Sequence, residues 1–217
     1  MDQASNIARR RKSALADGNP DYTAKRDELV QVASRLFKQK GFKATTLNDI
    51  AKESGIDRAT IYYYVASKDE LFQEAIGGIL NANIAHAERI LKEEGPDPRE
   101  KLEQLLEVLM LSYEENYPHM YVYIQELMHD VARDSSPWAK LMVKQTRRFE
   151  KITMLLIAEG VEQRMFRDDV PIRLAVNGLF GMFNWTHRWF DPQGKKSAKE
   201  IAQAFSTIFF DGISCRK

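Results

Sequence analysis

Residues 46–68, TLNDIAKESGIDRATIYYYVASK, hold two short helical patterns separated by a glycine, and this segment constrains the fold more than any other. Thr46 and Asp49 have the spacing of a capping box at the start of the first pattern. Gly55 readily adopts the backbone angles that a tight turn needs. Asp57 is placed to cap the second pattern. A short helix, a glycine turn and a second helix with small or polar residues in its first turn are typical of a DNA-binding helix-turn-helix.

The second helix carries three consecutive tyrosines, residues 62–64. Successive helical residues point about 100° apart, so these rings cannot share one face. We expect at least one ring to pack inward, while an exposed one can donate its hydroxyl to a phosphate. Ser67 and Glu70 repeat the capping-box spacing, which places Lys68 at the start of the next helix. There its charge and the nearby backbone N–H groups can both meet a phosphate.

Residues 26–72 resemble the DNA-binding domain of the TetR family of bacterial transcriptional regulators. The resemblance extends over about 47 residues in order and at family spacing, so it is more specific than a lone motif. The matching positions are Ala33, Leu36-Phe37, Gly41-Phe42, Thr45-Thr46, Ile50-Ala51, Gly55, Ile61-Tyr62-Tyr63-Tyr64 and Ser67-Lys68-Asp69-Glu70-Leu71-Phe72.

This resemblance implies an all-α, homodimeric regulator of about nine helices. It implies an N-terminal three-helix helix-turn-helix domain and a C-terminal helical domain that binds a ligand and forms the dimer. With the breaks in the sequence, it predicts a basic arm at 1–22, a DNA-binding domain at 23–83 and a ligand-binding and dimerisation domain at 84–217. In the family, the fourth helix, here from Lys68, connects the two domains.

The predicted partner is a palindromic double-stranded DNA operator, with the two reader helices about 34–36 Å apart in successive major grooves. Arg58, Ala59 and Thr60 are expected to meet base edges, and Arg58 can bond guanine. Leu47 stands where some family members have a polar base-contacting residue, so base reading from the first helix is expected to be reduced. The contacts expected with phosphates or sugars come from Thr45, Thr46, Tyr62, Tyr63, Tyr64 and Lys68.

Charge is unevenly distributed along the chain. Residues 1–68 carry 13 Lys+Arg against 8 Asp+Glu, whereas the rest carries 19 against 23. A basic front and an acidic back fit a protein that touches DNA with one end only. The basic cluster at residues 9–12 has two interpretations: a disordered solubilising tail, or an arm that follows the phosphate backbone or enters a minor groove.

Several functional classes are disfavoured. No apolar run approaches the roughly 18 residues of a membrane span, and the N-terminus lacks the apolar core of a secretory signal, so a cytoplasmic protein without membrane contact is expected. The single Cys215 excludes an intrachain disulfide and a multi-cysteine zinc site. The four histidines lack metal-ligand spacing, and there is no nucleophile elbow or phosphate-binding glycine loop. We therefore expect no enzymatic activity, metal or cofactor.

Three features of the chain after Lys68 bear on its organisation. Residues 93–98, EEGPDP, form the clearest boundary between helices. Gly77-Gly78 interrupts the fourth helical pattern, either as a soft spot for bending or as a point of close packing. The last two predicted helices run from residue 168 to Phe190 and from Ser197 onward, and Ser197 and Glu200 have capping-box spacing. Both carry more apolar surface than one small bundle needs to cover. A dimer interface built as a four-helix bundle is therefore expected there, in agreement with the resemblance.

Aromatic residues and methionine are concentrated between residues 113 and 189, and such side chains give adaptable apolar walls with a few polar tips. Residues 180–194 also resemble the branch of the family that regulates fatty-acid and sterol catabolism and responds to CoA thioesters. The resemblance implies an acyl-CoA effector with its phosphates near Arg147, Arg148 or Arg188. A drug- or solvent-sensing repressor of an efflux pump, and a helical enzyme or carrier, are the alternatives. The predicted ligand-binding residues are Tyr113, Tyr117, Tyr121, Ile124, Met128, Phe149, Phe180, Asn184, Trp185, Arg188 and Trp189.

Overall fold

The structure, a computed structural model, describes residues 13, 19–124 and 133–214. Three sequence features lie outside these residues: the basic cluster at 9–12, Met128 and Cys215. Within the described ranges the chain forms nine α-helices and one 3-10 helix, which confirms the predicted all-α fold. The α-helices are α1 Pro20–Lys40, α2 Leu47–Glu53, α3 Arg58–Tyr64, α4 Lys68–Lys92, α5 Pro98–Glu115, α6 His119–Val122, α7 Pro137–Glu162, α8 Ile172–Asn184 and α9 Ala198–Ile213, and the 3-10 helix is Trp185–Arg188.

The chain divides into two compact units, and the division falls after Gly78, inside α4. The predicted domain boundary at residue 83 lies a few residues further along the same helix. The glycine pair Gly77-Gly78 does not interrupt α4, which is one continuous helix from Lys68 to Lys92. A Cβ placed on Gly78 would meet no atom within 4 Å, so close packing does not explain this glycine.

The first unit is built on α1, α2 and α3, which pack against one another around a small apolar core. Leu29, Ile50 and Ile61 contribute one fully buried side chain from each helix. Phe37, Phe42 and Phe72 form an aromatic cluster with ring centroids 4.8–5.8 Å apart. This core fixes the angle between α2 and α3, as a helix-turn-helix requires.

The helix α1 begins earlier than the apolar pattern indicates. Its pattern starts at Thr23, but Asn19 caps the helix by accepting from the N–H groups of Asp21 and Tyr22, and Pro20 occupies the first helical position. Asparagine at the cap followed by proline is a standard helix start. The extra turn matters because it brings Tyr22 into the core, where its side chain is buried.

The second unit contains α5 to α9. Here α5 packs against both α7 and α9, and α8 packs against α7 and α9. The predicted break at residues 93–98 is observed between α4 and α5, with Asp97 and Glu100 forming a capping box. Ser197 and Glu200 form the predicted box at the start of α9, and the hydrogen bond from Lys196, together with those from Ser197, lowers the pKa of Glu200 to about 2.

Two details of the second unit differ from the sequence pattern. The helical period of residues 137–162 predicts that Leu141, Phe149, Ile152, Leu155 and Leu156 face inward. Phe149, Ile152 and Leu156 are buried in this way, but the side chains of Leu141 and Leu155 are exposed. The helix that opens near Asp168 was expected to run to Phe190, whereas α8 ends at Asn184 and tightens into the 3-10 helix. The tightening turns Thr186 inward, where its hydroxyl donates to the carbonyl of Phe183 at 2.6 Å.

Candidate DNA-binding surface and effector cavity

The helix-turn-helix presents an open cleft within the first unit. Arg58 and Tyr62 project from α3 toward residues of α2 and of the α3–α4 junction. Arg58 is exposed, and among the described residues its guanidinium has no hydrogen bond or ion pair. It is therefore available to an external acceptor. The residues that line the cleft are Thr46, Leu47, Asn48, Arg58, Tyr62, Ala66, Ser67, Lys68 and Asp69.

Both helices of the motif are capped as the sequence predicts. Thr46 and Asp49 form a complete capping box at α2, and Asp57 accepts from the N–H groups of Ala59 and Thr60 at α3. Hydrogen bonds from Thr46 lower the pKa of Asp49, and those from Thr60 lower the pKa of Asp57. The hydroxyls of Thr46 and Thr60 each donate to their aspartate at 2.6 Å. Because the hydroxyl protons of Thr46 and Thr60 are used in these bonds, only their oxygens and methyl groups can contact an external partner.

The tyrosine cluster is organised by Tyr22, which the sequence pattern did not single out. Its hydroxyl lies 3.2 Å from the carbonyl oxygen of Tyr63 and 3.1 Å from that of Tyr64. Its ring stacks on Tyr64 with centroids 5.1 Å apart and meets Tyr63 edge-on at 5.3 Å. These contacts fix the C-terminal end of α3. Tyr62, Tyr63 and Tyr64 are all partly exposed, and Tyr62 is the one that lines the cleft.

Lys68 has an internal role that differs from the predicted phosphate contact. Its ammonium donates to the carbonyl oxygens of Phe42 at 2.7 Å, Thr45 at 3.0 Å and Lys43 at 3.3 Å, and it lies 4.5 Å from the centroid of the Phe42 ring. A lysine has three protons to donate, and all three are used here. Lys68 therefore holds the α1–α2 loop in place. At the start of α4, the backbone N–H groups rather than the Lys68 ammonium can contact a phosphate.

Thr45 is likewise an internal residue. Its side chain is fully buried, and its hydroxyl donates toward the carbonyls of Gly41 at 2.9 Å and Leu36 at 3.3 Å. A phosphate contact through this hydroxyl was expected, but burial removes the side chain from the surface. The threonine instead closes the C-terminal end of α1, where carbonyl groups lack helical partners.

An ion cluster joins α1 to α4 within the first unit. The guanidinium of Arg26 bonds the carbonyl of Tyr64 at 2.5 Å and the carboxylates of Glu70 at 2.6 Å and Glu74 at 2.8 Å. Burial lowers the pKa of Arg26, but the bond with Glu70 and the charges of Glu74 and Glu70 outweigh it and leave the pKa raised. Glu70 thereby departs from the predicted capping box: Ser67 accepts from its N–H, but its carboxylate bonds the N–H of Ala66.

The second unit contains a cavity of about 90 Å³ among α4, α5, α6, α7 and α8. Ligand pockets usually measure about 300–1,000 Å³, so the walls must part to admit anything larger than a small ring. Five of the predicted ligand-binding residues lie on its wall: Tyr113, Ile124, Phe149, Phe180 and Asn184.

The other predicted residues of the described chain lie elsewhere. Tyr117 and Tyr121 stack edge-on with centroids 5.5 Å apart, and Tyr121 is buried with its hydroxyl 3.1 Å from that of Thr186. Trp185, Arg188 and Trp189 are exposed, and the guanidinium of Arg188 lies 4.9 Å from the Trp185 ring. The structure therefore brings the two tyrosines beside the cavity wall and leaves the Trp185–Trp189 segment on the surface.

Polar residues on the cavity wall come from helices that sequence reasoning treated as connector or core. Asn83 of α4 and Gln145, Thr146 and Glu150 of α7 all face the cavity. The signal available in the sequence was Gln145, a polar residue at a helical position that repeats with buried Met142 and Phe149. Tyr113 donates to Asn184 across the cavity at 2.8 Å, and burial raises its pKa. Burial also raises the pKa of Tyr121 to about 12, so these phenols stay neutral.

No group of three or more potential metal ligands occurs among the described residues. Nor does any helix in the described ranges have both the length and the apolar character to cross a membrane. A capped helix-turn-helix with an unengaged arginine in its reader helix, followed by a helical unit with an internal cavity, defines the class of helix-turn-helix transcriptional regulators.

Comparison with known families places the chain more narrowly. Residues 95–213, more than half of the chain, match a family of tetracycline repressor-like C-terminal domains. Residues 29–75 match the bacterial regulatory proteins of the tetR family. The chain belongs to the TetR family, as the resemblance indicated. This is a family of DNA-binding transcriptional regulators and not of enzymes, in agreement with the sequence-based expectation.

Named relatives support the same placement. The transcriptional repressor KstR2 of Mycolicibacterium smegmatis is 29% identical over 203 residues, covering 92% of this chain and 96% of that protein. The structure of the ketosteroid transcriptional regulator KstR2 of Mycobacterium tuberculosis has a TM-score of 0.75 at 26% identity, covering 88% of this chain and 95% of that one. A structure of AibR with isovaleryl coenzyme A and operator DNA shares the fold, with a TM-score of 0.66 at 17% identity over 86% of this chain and 98% of that one.

Proposed function

We propose that this protein is a homodimeric repressor that binds a palindromic operator and is released from it by a lipid-derived effector. The observation that carries the proposal is the surface around Arg58, where a capped reader helix presents an exposed guanidinium with no partner in the described chain. Such a group suits the bidentate contact with guanine in a major groove. The named relatives are repressors, which supports repression over activation.

The contacts with DNA divide into two kinds. Arg58, Ala59 and Thr60 in the first turn of α3 read base edges, with the methyl of Thr60 available to a thymine methyl group. Thr46 and the exposed parts of the tyrosines meet phosphates and sugars. Leu47, half-buried on the cleft wall, adds apolar contact rather than a hydrogen bond.

Arg58→Ala is expected to relax selectivity at one base pair of each half-site and to weaken binding by about 1–3 kcal/mol, because a single bidentate contact is lost. The measurement is in vitro selection from a randomised DNA library, followed by titration of the preferred site. Lys43→Ala, an exposed charge on the α1–α2 loop, is the control and should weaken all sequences alike. A uniform loss for the Arg58 variant as well would remove Arg58 from the base-reading residues.

The dimer is supported by apolar side chains that the second unit leaves uncovered. Leu174 of α8 and Ile208 of α9 are each 62% exposed, and Trp185 and Trp189 are 58% and 50% exposed. Large apolar residues gathered on the last helices of a monomer mark an association surface. This is the surface from which the sequence predicts a four-helix bundle between subunits.

The effector is proposed from the cavity and from the relatives. Leu80, Ile84, Leu109 and Phe180 give the cavity an apolar wall suited to a fatty or alicyclic group. The similarity to a ketosteroid regulator supports a sterol- or lipid-derived acyl group. The CoA part of such an effector belongs outside, where Arg147 is exposed and Arg148, though paired with Glu88, is more than half exposed.

Titration with a panel of fatty and alicyclic acyl-CoA esters is expected to raise the melting temperature of the free protein and weaken operator binding. A ligand present at 100 times its Kd stabilises the folded state by about 2.7 kcal/mol. If no ester changes either the melting temperature or operator affinity, the effector assignment fails while DNA binding stands.

The helix α4 provides the means of coupling. It contributes Lys68, Glu70 and Glu74 to the bonds that hold the reader unit together, and Leu80, Asn83 and Ile84 to the cavity wall, as one continuous helix. An effector that favours a different position of the cavity segment acts on the same helix that carries Lys68. Shifting nearly all molecules from the DNA-competent to the released state needs about 5.5 kcal/mol of differential affinity.

A further inference from the structure

The wall of the effector cavity contains a buried amide that is only half satisfied. Gln145 is 6% exposed, and its Nε2 donates to the Oδ1 of Asn81 on α4. The Oε1 of the same amide is buried and has no hydrogen-bond partner within the described chain. An acceptor left unpaired in a protein interior is costly, and most such groups are satisfied by protein, water or ligand.

The neighbours of Gln145 on the cavity wall are polar and, in part, anionic. Asn83, Thr146 and Glu150 line the same cavity, and no lysine, arginine or histidine does so among the described lining residues. An anion bound in this cavity would lie near the Glu150 carboxylate, and no cationic side chain on the described wall would offset its charge. The wall therefore disfavours carboxylate and phosphate groups and leaves neutral ones.

The other polar pair in the cavity is already satisfied. Tyr113 donates its proton to Asn184 at 2.8 Å, so the phenol has no proton left for a ligand. Burial raises the pKa of the Tyr123 phenol, and its interaction with the Thr146 side chain offsets part of that rise. Within the described lining, Gln145 is thus a buried amide whose oxygen still needs a partner, and that partner must be a donor because the free atom is a carbonyl oxygen.

Building on the proposed effector-controlled function, we propose that Gln145 selects effectors whose apolar part carries a neutral hydrogen-bond donor, such as a hydroxyl on a ring or chain. The hydroxyl donates to Oε1 of Gln145, and the apolar remainder packs against residues such as Leu109, Met120 and Phe180. A keto or ether oxygen at the same place is rejected, because it would set two acceptors against each other. The charged part of a CoA thioester stays outside this cavity.

The test uses three small aromatic probes that differ at one position: 4-propylphenol, 4-propylanisole and 4-propylbenzoate. Binding to the full-length protein is measured by isothermal titration calorimetry at a pH where the benzoate is ionised. The native protein is expected to bind the phenol at least about 10-fold more tightly than the anisole, as one recovered hydrogen bond allows. The benzoate should bind more weakly than the phenol.

Two variants distinguish the role of the Gln145 oxygen, the proposed acceptor, from that of Asn81, which holds the Gln145 side chain by a hydrogen bond. In Gln145→Leu the preference for phenol over anisole should shrink to within about 2-fold. In Asn81→Ala the tether is lost but the acceptor remains, so the preference should persist. Operator binding by the unliganded variants shows that each is folded, and it tests the DNA-binding proposal separately. The proposal would be overturned if the native protein bound phenol and anisole equally, bound benzoate more tightly than phenol, or bound none of the probes. An unchanged preference in Gln145→Leu would overturn it as well.

Discussion

Replacing Leu174 and Ile208 together by glutamate is expected to convert the proposed dimer into a monomer and to weaken operator binding at least about 30-fold. Both side chains are 62% exposed on the last two helices, and neither contributes to the buried core. Four glutamates facing one another across a two-fold interface would repel and would carry charge into an apolar surface. A monomer reads one half-site and loses about half of the roughly 4–10 kcal/mol that separates specific from non-specific binding.

Sedimentation equilibrium gives the association state, and titration of an operator fragment gives the affinity. Leu141→Glu is the matched control, since it places the same carboxylate on an exposed leucine near the start of α7 and should leave the dimer intact. A double variant that remains dimeric, with unchanged affinity, would place the interface elsewhere on the protein.

Arg26→Met is expected to have the second largest effect, a loss of about 3 kcal/mol in the free energy of unfolding. The change leaves the carboxylates of Glu70 and Glu74 and the carbonyl of Tyr64 without their shared donor. Removing one partner of a buried ion pair costs about 3–5 kcal/mol. The lower end applies here because the two glutamate side chains are 29% and 36% exposed, whereas that of Arg26 is 11% exposed.

Urea denaturation at fixed protein concentration measures this loss. Lys40→Met is the control, because the Lys40–Asp49 pair is 3.5 Å long and its side chains are 51% and 34% exposed. Exposed pairs contribute less than about 1 kcal/mol. Equal losses for the two variants would mean that burial adds nothing to the Arg26 cluster. Since Arg26 also fixes the end of α3, its variant should lose operator affinity in parallel.

Local interactions are the part of this structure that the sequence predicts best. The boxes Thr46–Asp49 and Ser197–Glu200 and the cap Asp57 are formed as expected, because each depends on residues within one helical turn. The break at residues 93–98 is correct for the same reason. The cap formed by Asn19 and Pro20 is equally local, but these residues were assigned to the basic arm because the residues around them are polar.

Contacts between distant segments could not be predicted from the sequence. Lys68 at a helix start suggests an anion site, yet its ammonium reaches carbonyls more than 20 residues away. Thr45 lies next to an exposed capping threonine and is nevertheless fully buried. In both cases the three-dimensional fold of the loop after α1, rather than residue type, decides whether the side chain faces DNA.

The residues of the proposed effector cavity were likewise predicted only in part. Aromatic and methionine content pointed to segments of α5, α6 and α8 that contribute to the cavity wall, but composition does not separate a cavity wall from an exposed surface such as Trp185 and Trp189. The polar wall was missed because Asn83 and Gln145 lie in helices whose apolar period indicates only packing. Their role emerges from the juxtaposition of α4 and α7.

Selection of genomic DNA fragments by the purified full-length protein, followed by footprinting of the enriched site, tests the central claim most directly. The structure and the family together predict enrichment of a palindrome whose half-sites are protected about one helical turn, 34–36 Å, apart. Recovery of no specific fragment by well-folded protein, or protection of a single half-site without symmetry, would contradict the account.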